Sequence, residues 1–80
     1  MKTIYLIKSP KENISEVVSI CERFPQKTTL TDGENYVVNA KSIIGAAYAA
    51  VEWQTVRLEV KEEIPVLERL LKQKDLVEGF

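Results

Sequence analysis

The sequence predicts an α+β open-faced sandwich, a four-stranded antiparallel sheet covered on one face by three helices in the order βαββαβα. Three observations carry this expectation. Apolar residues alternate with period two over 3–8 and 55–60, helical i, i+3, i+4 spacing follows each of those segments, and an Asp-Gly turn separates two short β-prone stretches between them. Covering one side of such a sheet with amphipathic helices is the economical way to bury these stripes.

The first strand is read over 3–8, with Ile4 and Leu6 sharing a face. Ser9-Pro10-Lys11-Glu12 ends it and has the form of a capping box with proline at the first helical position. Asn13-Ile14-Ser15-Glu16 offers a second cap four residues later. Either start leads into an amphipathic helix, because Ile14, Val17, Val18 and Cys21 line one face and Pro25 requires the helix to stop before it. Segments 27–31 and 36–39 flank Asp32-Gly33-Glu34-Asn35 and read as a hairpin whose Asp-Gly pair tolerates positive φ. A helix of about two turns is expected from Ser42 to about Tyr48, before Glu52-Trp53-Gln54 breaks the pattern. Residues 55–60 then place Val56, Leu58 and Val60 on one face of a strand and Arg57 and Glu59 on the other. From Lys61 onward, Ile64, Leu67, Leu70 and Leu71 recur at helical spacing. Glu62 and Glu63 stand where the helix dipole favours anions, Lys72 and Lys74 stand near the helix end, and Pro65 is compatible only with the first turn.

These elements form one domain, 1–80, with no internal repeat, linker or low-complexity segment. A formal charge of −1 provides no global field for nucleic acid or an anionic membrane, so neither is expected as a partner. The longest apolar run, 43–51, is far short of the roughly 20 residues that span a bilayer. The first residues have too short an apolar segment for a signal peptide and no small-residue cleavage site, which makes a cytoplasmic address the expectation. Cys21 is the only cysteine, so no internal disulfide can form, and its place on the apolar stripe makes it a core side chain.

No catalytic arrangement is legible. The chain contains no histidine to activate Cys21 or a serine, and no pair among its twelve acidic residues stands out as acid and base. Gly33, Gly45 and Gly79 are too far apart for a phosphate-cradling loop, and the aromatic residues are too scattered for a stacking platform. The expectation is a non-enzyme with no cofactor and no metal site.

The segment Asn39-Ala40-Lys41-Ser42-Ile43-Ile44-Gly45 resembles the regulatory-serine run of the HPr family, the phosphocarriers of bacterial sugar phosphotransferase systems. In that family a run of the type Asn-Leu-Lys-Ser-Ile-Met-Gly opens the short second helix. Asn39, Lys41, Ser42, Ile43 and Gly45 match it, and Ala40 and Ile44 are apolar replacements. The resemblance covers essentially the whole chain, is specific only in this middle segment, and implies the same βαββαβα sandwich. It fails at the first helix, where the family carries Gly-Leu/Ile-His-Ala-Arg-Pro and this chain has Ser9-Pro10-Lys11-Glu12-Asn13-Ile14. Distance from Ser42 puts Lys11 in the histidine's place, the apolar stripe puts Pro10 there, and the cap suggests Asn13. None of these forms a phosphoimidazole, and Glu12 and Glu16 repel a phosphate at that helix end.

The resemblance therefore implies a relative that keeps the scaffold without the carrier chemistry, similar in this respect to the catabolite-repression HPr-like proteins. On that reading the chain is a non-catalytic regulatory or adaptor protein. Ser42 is the candidate for regulatory phosphorylation, a role compatible with capping the helix that follows it. Lys41, Ile43, Ile44, Ala47 and Tyr48 are the candidate partner-binding residues, an HPr-type kinase or a transcriptional regulator is the implied partner, and the protein is a monomer or weak homodimer. Two consecutive isoleucines cannot both point inward from so short a helix, so at least one is expected at the surface. Trp53, in the connection before the last strand, is expected to cover that helix, with anchoring a partner as the alternative. Two alternatives remain open, a degenerate phosphocarrier with a different acceptor and a ferredoxin-like protein-binding domain unrelated to HPr.

Overall fold

The computed structural model describes residues 3–78. Its elements are β1 (Thr3–Leu6), α1 (Pro10–Cys21), β2 (Thr28–Thr31), β3 (Val37–Asn39), α2 (Ile43–Glu52), β4 (Arg57–Val60) and α3 (Pro65–Gln73). The strands form one antiparallel sheet in the order β1-β4-β2-β3, which is the open-faced sandwich expected from the patterning. One cross-strand row runs Tyr5, Leu58, Leu30, Val38. Side chains alternate across a pleated sheet, so Tyr5 and Ile7, Val56, Leu58 and Val60, and Thr28 and Leu30 share a face. That face meets the helices, whose Val17, Val18, Ile20, Leu67 and Leu71 join the same buried cluster. The opposite face carries Ile4, Arg57, Glu59, Thr29 and Val37, and among the described residues no helix covers it. Ile4 and Leu6 do share a face, but it is this outer one.

The first helix starts at Pro10, the earlier of the two expected starts, by a different mechanism from a capping box. Ser9 adopts the left-handed conformation (φ 41°) and its side chain caps nothing. Instead Asn13 Nδ2 donates to Lys8 O at 2.6 Å, so the residue expected to open an alternative helix ties down the entry of the real one. All four predicted stripe residues are buried, and Ile20 joins them. In the hairpin, Gly33 takes the expected positive φ of 89°. Asp32 Oδ1 accepts from the backbone N–H groups of Glu34, Asn35 and Tyr36, which holds its carboxyl below the usual carboxylate range and closes the turn.

The first and last strands are shorter than the sequence reading, Thr3–Leu6 against 3–8 and Arg57–Val60 against 55–60, and two helix boundaries also differ. The second helix extends to Glu52 and does not stop near Tyr48, because Ala49, Ala50 and Val51 sustain it until Trp53 turns extended at its C-terminal cap. The third helix begins only at Pro65, so Glu62 and Glu63 precede it and lie outside its first turn, where Glu68 is the acid. Proline fixes that start, since its missing N–H is tolerated at the first position. The segment after α3 folds back along β1, with Lys8 N donating to Leu76 O, Glu78 N donating to Leu6 O, and Ile7 bridging Val77. This covers one end of an edge strand that would otherwise template pairing.

Tyr5 lies at the end of the core row and donates its hydroxyl to Glu68 Oε2 at 3.3 Å. Burial, reinforced by the Glu68 charge, pushes its pKa up to about 12. A phenol whose pKa is raised on folding contributes stability that is present below its unfolded value near 10 and is lost as pH rises toward 12. Denaturation midpoints measured between pH 9 and 12 should therefore fall with a slope that Tyr5→Phe reduces. A slope unchanged by that substitution would place the alkaline sensitivity elsewhere.

Candidate functional site

The site is built on α2. Asn39 Oδ1 accepts from Lys41 N at 2.9 Å, and Ser42 N donates to Asn39 O at 3.1 Å, so the chain leaves β3 through a tight polar turn. Ser42 then sits at the N-cap in extended conformation, and its Oγ accepts from Gly45 N at 3.4 Å. The hydroxyl is exposed and occupies the position that satisfies a free N–H of the first turn.

Beyond the cap, α2 carries no charged residue until Glu52. The residues it turns inward are Ala46, Ala49 and Ala50, all buried. Its large side chains point to solvent, with Ile43 48 %, Ile44 82 %, Tyr48 60 % and Val51 65 % exposed. At 3.6 residues per turn, Ile44, Ala47, Tyr48 and Val51 fall within an arc of about 100°. The helix is thus amphipathic by size, with small residues against α1 and large ones outside. Sequence reasoning expected one of the two isoleucines at the surface, and both are there. It missed Val51, although the i, i+3, i+4, i+7 spacing from Ile44 was the available signal.

Lys41 is not part of the outer stripe. Its Nζ donates to Phe24 O at 2.6 Å, fastening the β3–α2 turn to the chain just beyond α1. Arg23 and Lys27 flank that acceptor in sequence, so this end of α2 is basic. The other end has a net negative charge, although Arg57 lies against Gly33 and Lys11 borders the adjoining cleft there. Asp32, Glu34 and Glu52 line a recess of about 310 Å³ together with Tyr36, Trp53, Gln54 and Thr55. Trp53 is half-buried against the core, as expected of a residue covering the helix. It also borders a second cleft, of about 500 Å³, whose other wall is Ser9, Pro10, Lys11 and Glu12. Two of the three residues that alignment put in place of the family histidine, Pro10 and Lys11, therefore line an open cleft, and Asn13 is engaged with Lys8 O. Glu12 and Glu52 both border this cleft, and their carboxylates oppose an anionic occupant.

Cys21 is buried, and burial pushes its thiol up against the opposing influence of the Thr28 hydroxyl and the Lys41 ammonium. A thiol held protonated in the core is a packing group and not a nucleophile. Among the described residues, no group of three or more acidic, cysteine or histidine side chains is placed to hold a metal ion, and no helix is long and apolar enough to cross a membrane.

Gly45, one of the matched motif positions, is not required by the backbone. A Cβ there would stand 3.5 Å from Val38 Cβ and 3.6 Å from Ser42 Oγ, which is ordinary van der Waals contact. Gly45→Ala should therefore stabilise the protein by about 0.5–1 kcal/mol through helix propensity, read as a raised denaturation midpoint. A destabilisation would show that the cap turn needs the glycine.

Comparison with known proteins adds no relative: no family model, no curated protein and no solved structure matches this chain.

Proposed function

We propose that this protein is a cytoplasmic, non-catalytic regulatory or adaptor domain of the HPr-like kind, which binds protein partners through the outer face of α2 and is controlled by phosphorylation at Ser42. The single observation that carries this reading is the inverted helix, with alanines inward and Ile44, Tyr48 and Val51 outward, directly behind an exposed capping serine. A helix that leaves its large apolar side chains in water is arranged for a partner, because exposing such a patch works against solubility without contributing to the core. The resemblance of 39–45 to the family's regulatory-serine run supports the same location.

Phosphate on Ser42 Oγ would add about 1.5–2 negative charges at the N-terminus of α2, where the helix dipole favours them by about 0.3–1 kcal/mol. The nearest cation in sequence is Lys41, whose ammonium is held by Phe24 O. A phosphate drawing Lys41 away from that carbonyl would release the turn from the end of α1, altering the basic end of the face along with its charge. The carrier alternative has less support, since the cleft at the start of α1 is bordered by Glu12 and Glu52.

Incubation of the folded protein with ATP and an HPr-type serine kinase, followed by intact-mass analysis and peptide mapping, tests the switch. One phosphate mapped to Ser42 and absent from Ser42→Ala is the expected result. Modification elsewhere, or none on folded protein, removes the regulatory role and leaves Ser42 as a cap. As a cap, its replacement by alanine should still lower stability by about 0.5–2 kcal/mol.

A further inference from the structure

We propose that the outer face of α2 is also a self-association surface, on which two copies of this chain pack their α2 helices antiparallel about a two-fold axis. The inference rests on the reading of this face as a docking surface and specifies one occupant for it. Two properties of the face select a second copy, its area and the distribution of charge along it.

The exposed fractions of Ile43, Ile44, Tyr48 and Val51 leave on the order of 450 Å² of apolar surface, taking a large side chain at roughly 150–250 Å². Such an area is in the range of the largest, usually functional patch on a monomer, about 300–600 Å². A whole non-obligate interface is about 56–58 % apolar, so covering this entire patch corresponds to roughly 800 Å² per copy, the size of a standard specific contact. The sides of the face bring the polar remainder, Ser42 and Glu52 on the helix itself and Tyr36 beside the recess.

Charge sets the orientation. One end of α2 has Lys41, the helix N-terminus and the neighbouring Arg23 and Lys27, and at the other Glu52, Asp32, Glu34 and Glu12 outnumber Arg57, which lies against Gly33, and Lys11, so that end keeps a net negative charge. A parallel copy would bring acid to acid and base to base, whereas an antiparallel copy places Glu52 of each chain at the positive N-terminus of the other. That arrangement is isologous and closes on itself, so it ends at two copies. The midpoint of the helix Ile43–Glu52 falls between Ala47 and Tyr48. An axis there sets Ala47 against Tyr48 of the partner subunit and Ile44 against Val51 of the partner subunit, pairing small with large where the helices are closest. Ser42 then lies near Glu52 of the partner subunit, so a phosphate on Ser42 would oppose the dimer by like-charge repulsion.

Sedimentation equilibrium of the full chain from about 10 µM to about 1 mM should show the mass rising from 9.1 kDa toward twice that value. Tyr48→Lys should stay monomeric over the same range with an unchanged far-UV spectrum, and Val66→Lys, at an exposed position on α3, should dimerise like the parent. Glu52→Lys should raise the dissociation constant roughly 3- to 30-fold, the weight of two contacts at a helix end. Amide shifts followed on dilution should cluster in α2. A parent that is monomeric at 1 mM, a Tyr48→Lys variant that still dimerises, or shifts centred on the β1 or β3 edges would each overturn the dimer. Because Ser42 phosphorylation is read by mass on monomer and dimer alike, failure of the dimer is distinct from failure of the regulatory reading.

Discussion

Leu58→Ala should lower the unfolding free energy by about 3 kcal/mol, within the 2–5 kcal/mol of fully buried leucines. Leu58 is the middle of the row Tyr5, Leu58, Leu30, Val38, on a central strand that pairs with both β1 and β2. It is completely buried, as are Leu30, Leu67 and Leu71, so truncation leaves a cavity bounded by the sheet and the helices. A domain of 80 residues has roughly 4–12 kcal/mol of stability, which makes this loss a large share of the total. The expected change is a fall in thermal midpoint of roughly 12–24 °C with an unchanged denaturant m-value. A loss under about 1 kcal/mol would mean that the helices do not close over the centre of the sheet as described.

The second large effect reverses ordinary expectation about residue size within one helix. Ala46→Leu should destabilise by about 1–3 kcal/mol, because Ala46 is fully buried where α2 meets the core and added methylenes must displace a neighbouring element. Ile44→Ala, two residues earlier, should change stability by no more than about 0.5 kcal/mol, since that side chain is 82 % exposed. Chemical denaturation of the two variants beside the parent gives the comparison directly. If Ile44→Ala proves the more damaging, α2 is rotated relative to the structure and the outer stripe is core. The pair thus tests the premise of the docking face without reference to any partner.

Much of the architecture was legible in the residues. Alternation placed Val56, Leu58 and Val60 on the buried side of their strand, and helical spacing placed Ile14, Val17, Val18 and Cys21 inside. Asp32-Gly33 set the hairpin turn, through a glycine at positive φ and a carboxylate that accepts three backbone N–H groups. These signals are local, since a period, a turn residue or a proline acts within a few positions of itself and needs no knowledge of the rest of the chain.

The start of α1 was ambiguous for the complementary reason. Ser9 and Asn13 each have the chemistry of a cap, and only the path from β1, with Asn13 reaching back to Lys8 O, selected Pro10 as the first helical residue. Lys41 offers a similar lesson. As a motif residue it was a candidate contact for a partner, and in the fold it is a tether to Phe24, seventeen residues away in sequence.

By itself, then, the sequence determined the element order, the buried face of the last strand, the turn at Gly33 and the absence of any imidazole to carry phosphate. Only the tertiary structure decided which side of α2 faces outward. Periodicity alone would bury the isoleucine, tyrosine and valine side of such a helix, and it was the resemblance of 39–45 to the HPr segment that marked Ile43, Ile44, Ala47 and Tyr48 as partner-facing. Here close approach to α1 admits only Ala46, Ala49 and Ala50, and the larger side chains are left in solvent. Burial at a crossing is set by the space between two helices, a quantity that belongs to the pair and is not contained in the periodicity of either one.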